Sequence, residues 1–205
     1  MTEAISGKFE AHLQRGGTGI PEMIRLLEAY AVHNDLEKLK NQVFKEHLLG
    51  KTSTDMDKDV FYAFRRRFTR PNDLPPSTLL AEMICLPIND AAKTQLLLPY
   101  FLAADAMATH FYQALVLARK YSSIPKLEVS EVYTYFEQAS QSHEEISRWS
   151  SEVRRRWCRG FILFLRQFGL MEPRPGVTLR RLWLLPEPFA YYWLWFWETG
   201  GSYWT

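Results

Sequence analysis

The sequence predicts a mainly α-helical protein, a compact multi-helix bundle whose C-terminal segment carries a short β-hairpin or wing. Three observations predict it. Apolar residues recur at helical spacing in one segment after another, most of those segments open on a capping residue, and a single run near the C-terminus is β-prone. At 205 residues the chain is long enough for one large core or two small ones.

Phe9 and Leu13, four residues apart, suit a short first helix. A glycine-rich loop at residues 15–20 then places Pro21 in the first turn of a helix over residues 21–33, where its missing N–H costs nothing. Ile24, Leu27 and Ala31 share one face of it. Asn34 is the expected cap of residues 35–49, whose stripe is Leu36, Leu39, Val43 and Phe44, and Gly50 ends that helix. Ser53 or Thr54 caps residues 55–68, with Val60, Phe61, Phe64 and Phe68 inward. Aspartates at 55, 57 and 59 and arginines at 65, 66 and 67 suit the two ends of its dipole.

Pro71, Pro75 and Pro76 stiffen the connection to a short helix at residues 77–86. Asn89 caps residues 90–103, which Pro99 is expected to kink or divide. A helix over residues 105–121 turns Met107, Phe111, Ala114, Leu115 and Ala118 inward. The stretch at residues 122–125 is the best boundary, giving an N-terminal helical domain at 1–122 and a winged-helix-like domain at 123–205. Beyond it Ser130 caps residues 131–139, and residues 141–147 form a polar link.

Residues 148–171 change character halfway. Arg154, Arg155, Arg156 and Arg159 crowd the first half, and Phe161, Ile162, Leu163, Phe164, Leu165 and Phe168 fill the second. Ser150 or Ser151 can cap this helix. Val153, Trp157, Phe161, Phe164 and Phe168 make a core-facing stripe, while Arg155, Arg159 and Arg166 repeat on another face. Gly169 closes it as a C-cap glycine would. A proline- and glycine-rich turn at residues 172–176 and the β-prone run at residues 177–185 follow. Helix, turn and short β-prone run is the order of a winged helix's recognition helix and wing. The same residues also suit a core helix with a solvated basic end and an ordinary loop.

Residues 189–204 hold nine of the chain's thirty aromatic side chains. Pro188 in the first turn and Gly200 after Thr199 frame a helix apolar all round, which must be buried or sit at an interface. It can plug the core of its own domain. The alternative is docking a partner through Tyr191, Trp195 and Trp197, because Trp and Tyr concentrate at interfaces.

The net charge is only +2, yet residues 148–181 carry nine arginines against Glu152 and Glu172, so the rest of the chain is acidic on balance. A segregated basic segment in a nearly neutral chain faces anions, nucleic acid above all. Two cysteines make no disulfide framework, and no metal spacing is present. The first residues lack the order of a signal peptide. The apolar tract at residues 96–118 is broken by Pro99, Asp105, His110 and Gln113, so we expect a cytoplasmic protein without membrane insertion.

Motifs for catalysis are weak. Leu49-Gly50-Lys51-Thr52 ends like a phosphate-binding loop, but Lys45 stands where the first glycine belongs. Gly16-Gly17-Thr18-Gly19 lacks the third glycine of a dinucleotide fingerprint. The five histidines are scattered. We therefore expect no catalytic residue, metal ligand or cofactor. Two basic clusters remain as a nucleic-acid site. The first is Lys51, Arg65, Arg66, Arg67 and Arg70; the second is Arg154, Arg155, Arg156 and Arg159 with Arg180 and Arg181. Arginine's planar fork suits phosphate, although Arg65–Arg67 also simply completes a helix C-terminus.

The chain resembles a known family at several points: Gly16-Gly17, Pro21-Glu22, Arg25-Leu26-Leu27, Leu49-Gly50-Lys51-Thr52-Ser53, Arg65-Arg66-Arg67-Phe68, Trp149-Ser150, Arg154 to Arg159, Phe168-Gly169-Leu170 and Pro188-Phe189. It is similar there to the BrxA family of bacteriophage-exclusion (BREX) systems. The resemblance implies a NusB-like helical fold and a non-catalytic accessory role. It also implies nucleic-acid binding, double-stranded DNA before RNA, beside other BREX components. The rival expectation is a protein-interaction adaptor working through the aromatic C-terminal helix.

Overall fold

The computed structural model describes residues 9, 13, 19–51, 53–69, 73–119 and 125–199. Ten α-helices account for most of them. In order they are α1 (Ile20–His33), α2 (Leu36–Phe44), α3 (Thr54–Phe68), α4 (Ser77–Cys85), α5 (Asp90–Ala103), α6 (Ala106–Phe111), α7 (Val129–Ser140), α8 (Glu144–Ser147), α9 (Ser151–Gln167) and α10 (Pro186–Glu198). The mainly α class is therefore observed. No single helix among the described residues is long and apolar enough to cross a membrane.

Several boundaries differ from expectation for local reasons. Asn34 is the C-cap of α1, at φ 50°, and Asp35 caps α2 by accepting from the Glu37 and Lys38 N–H groups at 2.8 and 3.1 Å. The second helix stops at Phe44 rather than Leu49. His47 turns to φ 53°, and Leu49 reaches the core from the loop. α5 spans residues 90–103 as expected, with Pro99 inside it undivided; burial of Leu96, Leu97, Leu98, Tyr100 and Phe101 holds both flanks. The helix expected over residues 105–121 is α only to Phe111, then a π turn (Tyr112–Val116) and a 3-10 turn (Leu117–Arg119). The polar link contains α8, and Pro186 rather than Pro188 opens α10.

The hairpin expected after Met171 does not form as strands. Two isolated antiparallel bridges stand in its place, Lys126 to Thr178 and Met171 to Leu179. Towards the tip the pairing gives way to the turn, because Arg166 takes the Glu172 carbonyl and the Gly176 N–H closes back on the Pro173 carbonyl. The domain boundary expected at residues 122 and 123 lies outside the described residues. The chain groups into two compact units that each draw on distant segments: Gly19–Phe101 with Leu184–Thr205, and Met1–Thr18 with Leu102–Trp183.

In the unit of α1–α5 and α10, α1 buries Met23, Leu26, Leu27 and Tyr30 and packs chiefly on α4. Phe64, Phe68 and Tyr100 form a chain of rings at 5.3 and 5.5 Å. Tyrosine hydroxyls fasten α10. Tyr192 donates to the Leu96 carbonyl at 2.6 Å, and the Tyr191 and Tyr100 hydroxyls meet at 3.0 Å while Tyr100 donates to the Pro75 carbonyl. Burial pushes the Tyr192 phenol well up, so it stays a neutral donor.

In the unit of α6–α9, the aromatic stripe of α9 is the interior. Trp157, Phe161, Phe164 and Phe168 are all buried, with Trp157 4.6 Å from Phe111 and 5.8 Å from Phe136. Gly160 lets the segment at Leu13 lie against α9, because a Cβ there would collide with the Leu13 carbonyl. Gly160→Ala should therefore destabilise the protein by about 1–3 kcal/mol, read as a lower denaturant midpoint.

Phe9 stacks on His143 at 4.2 Å, and His143 faces His110, whose Nε2 meets the Tyr135 hydroxyl at 2.8 Å. Burial first, and the neighbouring His143 second, hold the His110 imidazole below its ordinary value. A depressed histidine stabilises the fold above its unfolded pKa, and that stability is lost as the pH falls through the folded value. Lowering the pH from about 7 to about 5 should reduce the denaturant midpoint, and His110→Gln should flatten the fall.

Candidate nucleic-acid interface

Consecutive helical residues point about 100° apart, so a run of arginines cannot share a face. In α3 the consequence is plain. Arg65 is exposed, Arg66 half-buried and Arg67 buried, with the Arg67 guanidinium 3.8 Å from the centre of the Phe101 ring. Arg67 is thereby a packing residue, held by cation–π attraction, and not a surface contact as expected. Lys51 is ion-paired to Glu22. Burial opposes the Glu22 charge, but Lys51 and a backbone hydrogen bond outweigh it and hold the carboxyl below its usual range. Arg70 lies outside the described residues. This first cluster thus presents Arg65 as its clearly exposed member.

In α9 the divergence sorts the arginines again. Ser150 caps the helix, accepting from the Val153 N–H at 3.3 Å. Arg154 turns inward, donating to Glu137 Oε2 at 2.7 Å, to the Trp149 carbonyl at 3.0 Å and to the Ser147 carbonyl at 2.5 Å. It ties α7, α8 and α9 together, which corrects its expected role as an anion contact. Arg156 pairs with Glu152 one turn back at 3.0 Å and remains largely exposed. Arg148 pairs with Glu144.

Arg155 and Arg159 are different. Both are exposed, they sit one turn apart on the face opposite the aromatic stripe, and none of the ion pairs among the described residues takes them up. Arg180 and Arg181 are also exposed, just past the Met171–Leu179 bridge, where the Arg180 N–H donates to the Leu170 carbonyl at 2.8 Å. Arg155, Arg159, Arg180 and Arg181 therefore belong to one unit, and Lys51 and Arg65–Arg67 to the other.

Two arginines outside the expected site lie in the same unit as Arg155 and Arg159. Arg166 donates to the Glu172 carbonyl at 3.2 Å and the Gly176 carbonyl at 2.9 Å, and Arg174 is exposed in the turn between them. The spacing of Arg155, Arg159 and Arg166 placed Arg166 on the right face, but its partners are backbone atoms that no sequence pattern announces.

The aromatic helix divides between core and surface. Tyr191 is buried, and Trp195 donates to the Asp73 carbonyl at 3.3 Å, whereas Trp197, Trp193 and Phe189 are exposed. Of the three expected partner contacts, Trp197 is the fully available one. Cys158 is buried and its thiol is pushed up to about 12, by burial first and Glu137 second. Among the described residues no three His, Cys, Asp or Glu side chains gather as a metal site would require.

A family model described as BrxA matches residues 7–192. Among solved structures, the chain is similar to the crystal structure of an uncharacterized protein from Magnetospirillum magneticum. The two are 14% identical, with a TM-score of 0.74 over 96% of each chain, which is a likeness of fold. No curated protein matches the sequence.

The sorting of the arginines makes a sharp prediction. Arg154→Ala should lower stability by about 1–3 kcal/mol, since it strands Glu137 and two backbone carbonyls. Arg155→Ala should shift it by less than about 0.5 kcal/mol. Paired thermal unfolding of the two variants measures the difference.

Proposed function

The chain belongs to the BrxA family and so to the BREX type of phage-defence system. From that membership and the exposed arginines of α9 we propose that it is a non-catalytic accessory protein that binds nucleic acid, double-stranded DNA first, with RNA as the alternative ligand. The observation that carries the reading is the pair Arg155 and Arg159. Most of the other α9 arginines are occupied, yet these two stand exposed on a helix whose opposite face is locked into the core.

Guanidinium groups that are already desolvated by packing or paired with carboxylates add little to phosphate binding. Exposed ones replace condensed counterions and gain the entropy of their release. Arg180 and Arg181 extend the basic surface, and Arg65 supplies a further cation in the other unit. In this reading Arg154, Arg67 and Lys51 support the fold. The finer fold description belongs here too. A NusB-like bundle with a winged-helix-like end accords with α9 as recognition helix, the bridges Lys126–Thr178 and Met171–Leu179 as a minimal sheet, and residues 172–176 as a short wing.

A second reading has its own observation. Phe189, Trp193 and Trp197 recur every four residues on the outer face of α10, at 53%, 52% and 75% exposure, while Tyr191 and Tyr192 anchor its inner face. An exposed aromatic row of this kind fits an adaptor that docks another BREX component. The two readings separate on purification. Nuclease-sensitive absorbance at 260 nm accompanies the first, and a stoichiometric protein partner accompanies the second.

Fluorescence anisotropy with labelled duplex DNA across a salt series tests the proposal. Wild-type binding should fall steeply with salt. Arg155→Ala with Arg159→Ala should weaken it and reduce the slope of log K against log salt by about 2, with thermal stability nearly unchanged. Full affinity in that double variant would remove α9 from the interface.

A further inference from the structure

The turn at residues 172–176 is built as a rigid part of α9 rather than as a free loop. Arg166 spans it, with Nε on the Glu172 carbonyl and Nη2 on the Gly176 carbonyl, so its two ends are clamped by one planar side chain. The Gly176 N–H closes the turn onto the Pro173 carbonyl at 2.8 Å. Gly176 is required there, because a Cβ would meet the Glu172 side chain at 2.7 Å and the Pro173 carbonyl at 3.0 Å. At its base the Glu172 N–H donates to the Thr178 carbonyl at 3.0 Å, beside the Met171–Leu179 bridge. The one side chain of this turn that carries a free positive head is Arg174, exposed between Pro173 and Pro175.

The clamp also sets direction. Arg155, Arg159 and Arg166 share a stripe of α9, and Arg166 draws the turn to the C-terminal end of that stripe. From Arg155 to Arg166 the helix rises about 16 Å, against a major-groove width of about 12 Å. Laid across a groove, such a line reaches from one phosphate backbone to the other.

Resting on the nucleic-acid reading above, we propose that this turn is a second duplex contact. In it Arg174 meets a backbone phosphate across the groove from Arg155 and Arg159, and Arg166 is the positioning residue that holds the turn there. Arg166 acts through Arg174 because its Nε–Nη2 edge is spent on the two backbone carbonyls that frame the turn. The Glu172 carboxylate lies beside Gly176 and repels any anion, so the contact depends on Arg174 being held outward.

The test is a double-mutant cycle on duplex binding, measured by anisotropy over a salt series with the full chain. Arg174→Ala, at an exposed position that leaves the fold intact, should lower affinity and reduce the salt slope by about 1. Arg166→Ala should reduce the slope by a similar amount, and Arg166→Lys should not restore it, since a flexible ammonium lacks the planar fork that holds the two carbonyls in place. The double variant should bind no more weakly than the weaker single one, as expected for two residues acting as one contact. Unchanged affinity and slope in Arg174→Ala, with Arg155→Ala and Arg159→Ala still weakening binding, overturns this inference and leaves the nucleic-acid reading standing. Losses that multiply in the double variant overturn the positioning role of Arg166. No duplex binding by the wild-type chain at low salt removes both.

Discussion

Trp157 and Phe161 stack at 5.5 Å inside a cage of Phe111, Phe136 and Phe164, and this aromatic interior fixes the rotation of α9 about its own axis. Emptying one such ring costs about 3–5 kcal/mol, a large share of the roughly 5–15 kcal/mol that holds a domain together. No arrangement of surface charge competes with a term of that size. The arginines of α9 accordingly point wherever the aromatic stripe leaves them. Arg155 and Arg159 face solvent because Trp157 and Phe161 face the core.

The same constraint explains why so dense a run of arginine leaves so few guanidinium groups exposed and unpaired. Arg154, one residue before Arg155, is rotated towards α7 and finds Glu137 there together with the carbonyls of Ser147 and Trp149. A guanidinium satisfied three times near the interior organises the helices around it, and it costs more to lose than to keep. Arg67 in α3 meets the same fate against Phe101. Formal charge in a sequence window therefore overstates the positive potential at a surface. Charges that are paired or desolvated by packing have already been used to hold the fold.

Most of the helices were legible because their signals are local. Ser53, Asn89 and Ser150 each act at the helix start that spacing assigned to them, and the stripe from Trp157 to Phe168 is buried as its period demands. Misread elements depended on partners distant in sequence. The run after Val177 is β-prone, yet beyond the Met171–Leu179 bridge Arg166 takes the Glu172 carbonyl and the turn takes the Gly176 N–H, so no ladder forms. Arg166 was visible as a member of a stripe, but the Glu172 and Gly176 carbonyls that it grips become neighbours only once the chain has turned.

The helical class, the caps Ser53, Asn89 and Ser150, the apolar face of α9 and the concentration of arginine in residues 148–181 were legible in the sequence alone, because each of these is set by residues within a turn or two of one another. Which of those arginines remain available was settled by packing between distant parts of the chain. It drew Arg154 into a three-way tie, left Arg155 and Arg159 in solvent, and buried Tyr191 while exposing Trp197. The physical reason is that a side chain's availability depends on what packs against it, and packing partners such as Glu137 for Arg154, or Tyr100 for Tyr191, lie 17 and 91 residues away along the chain.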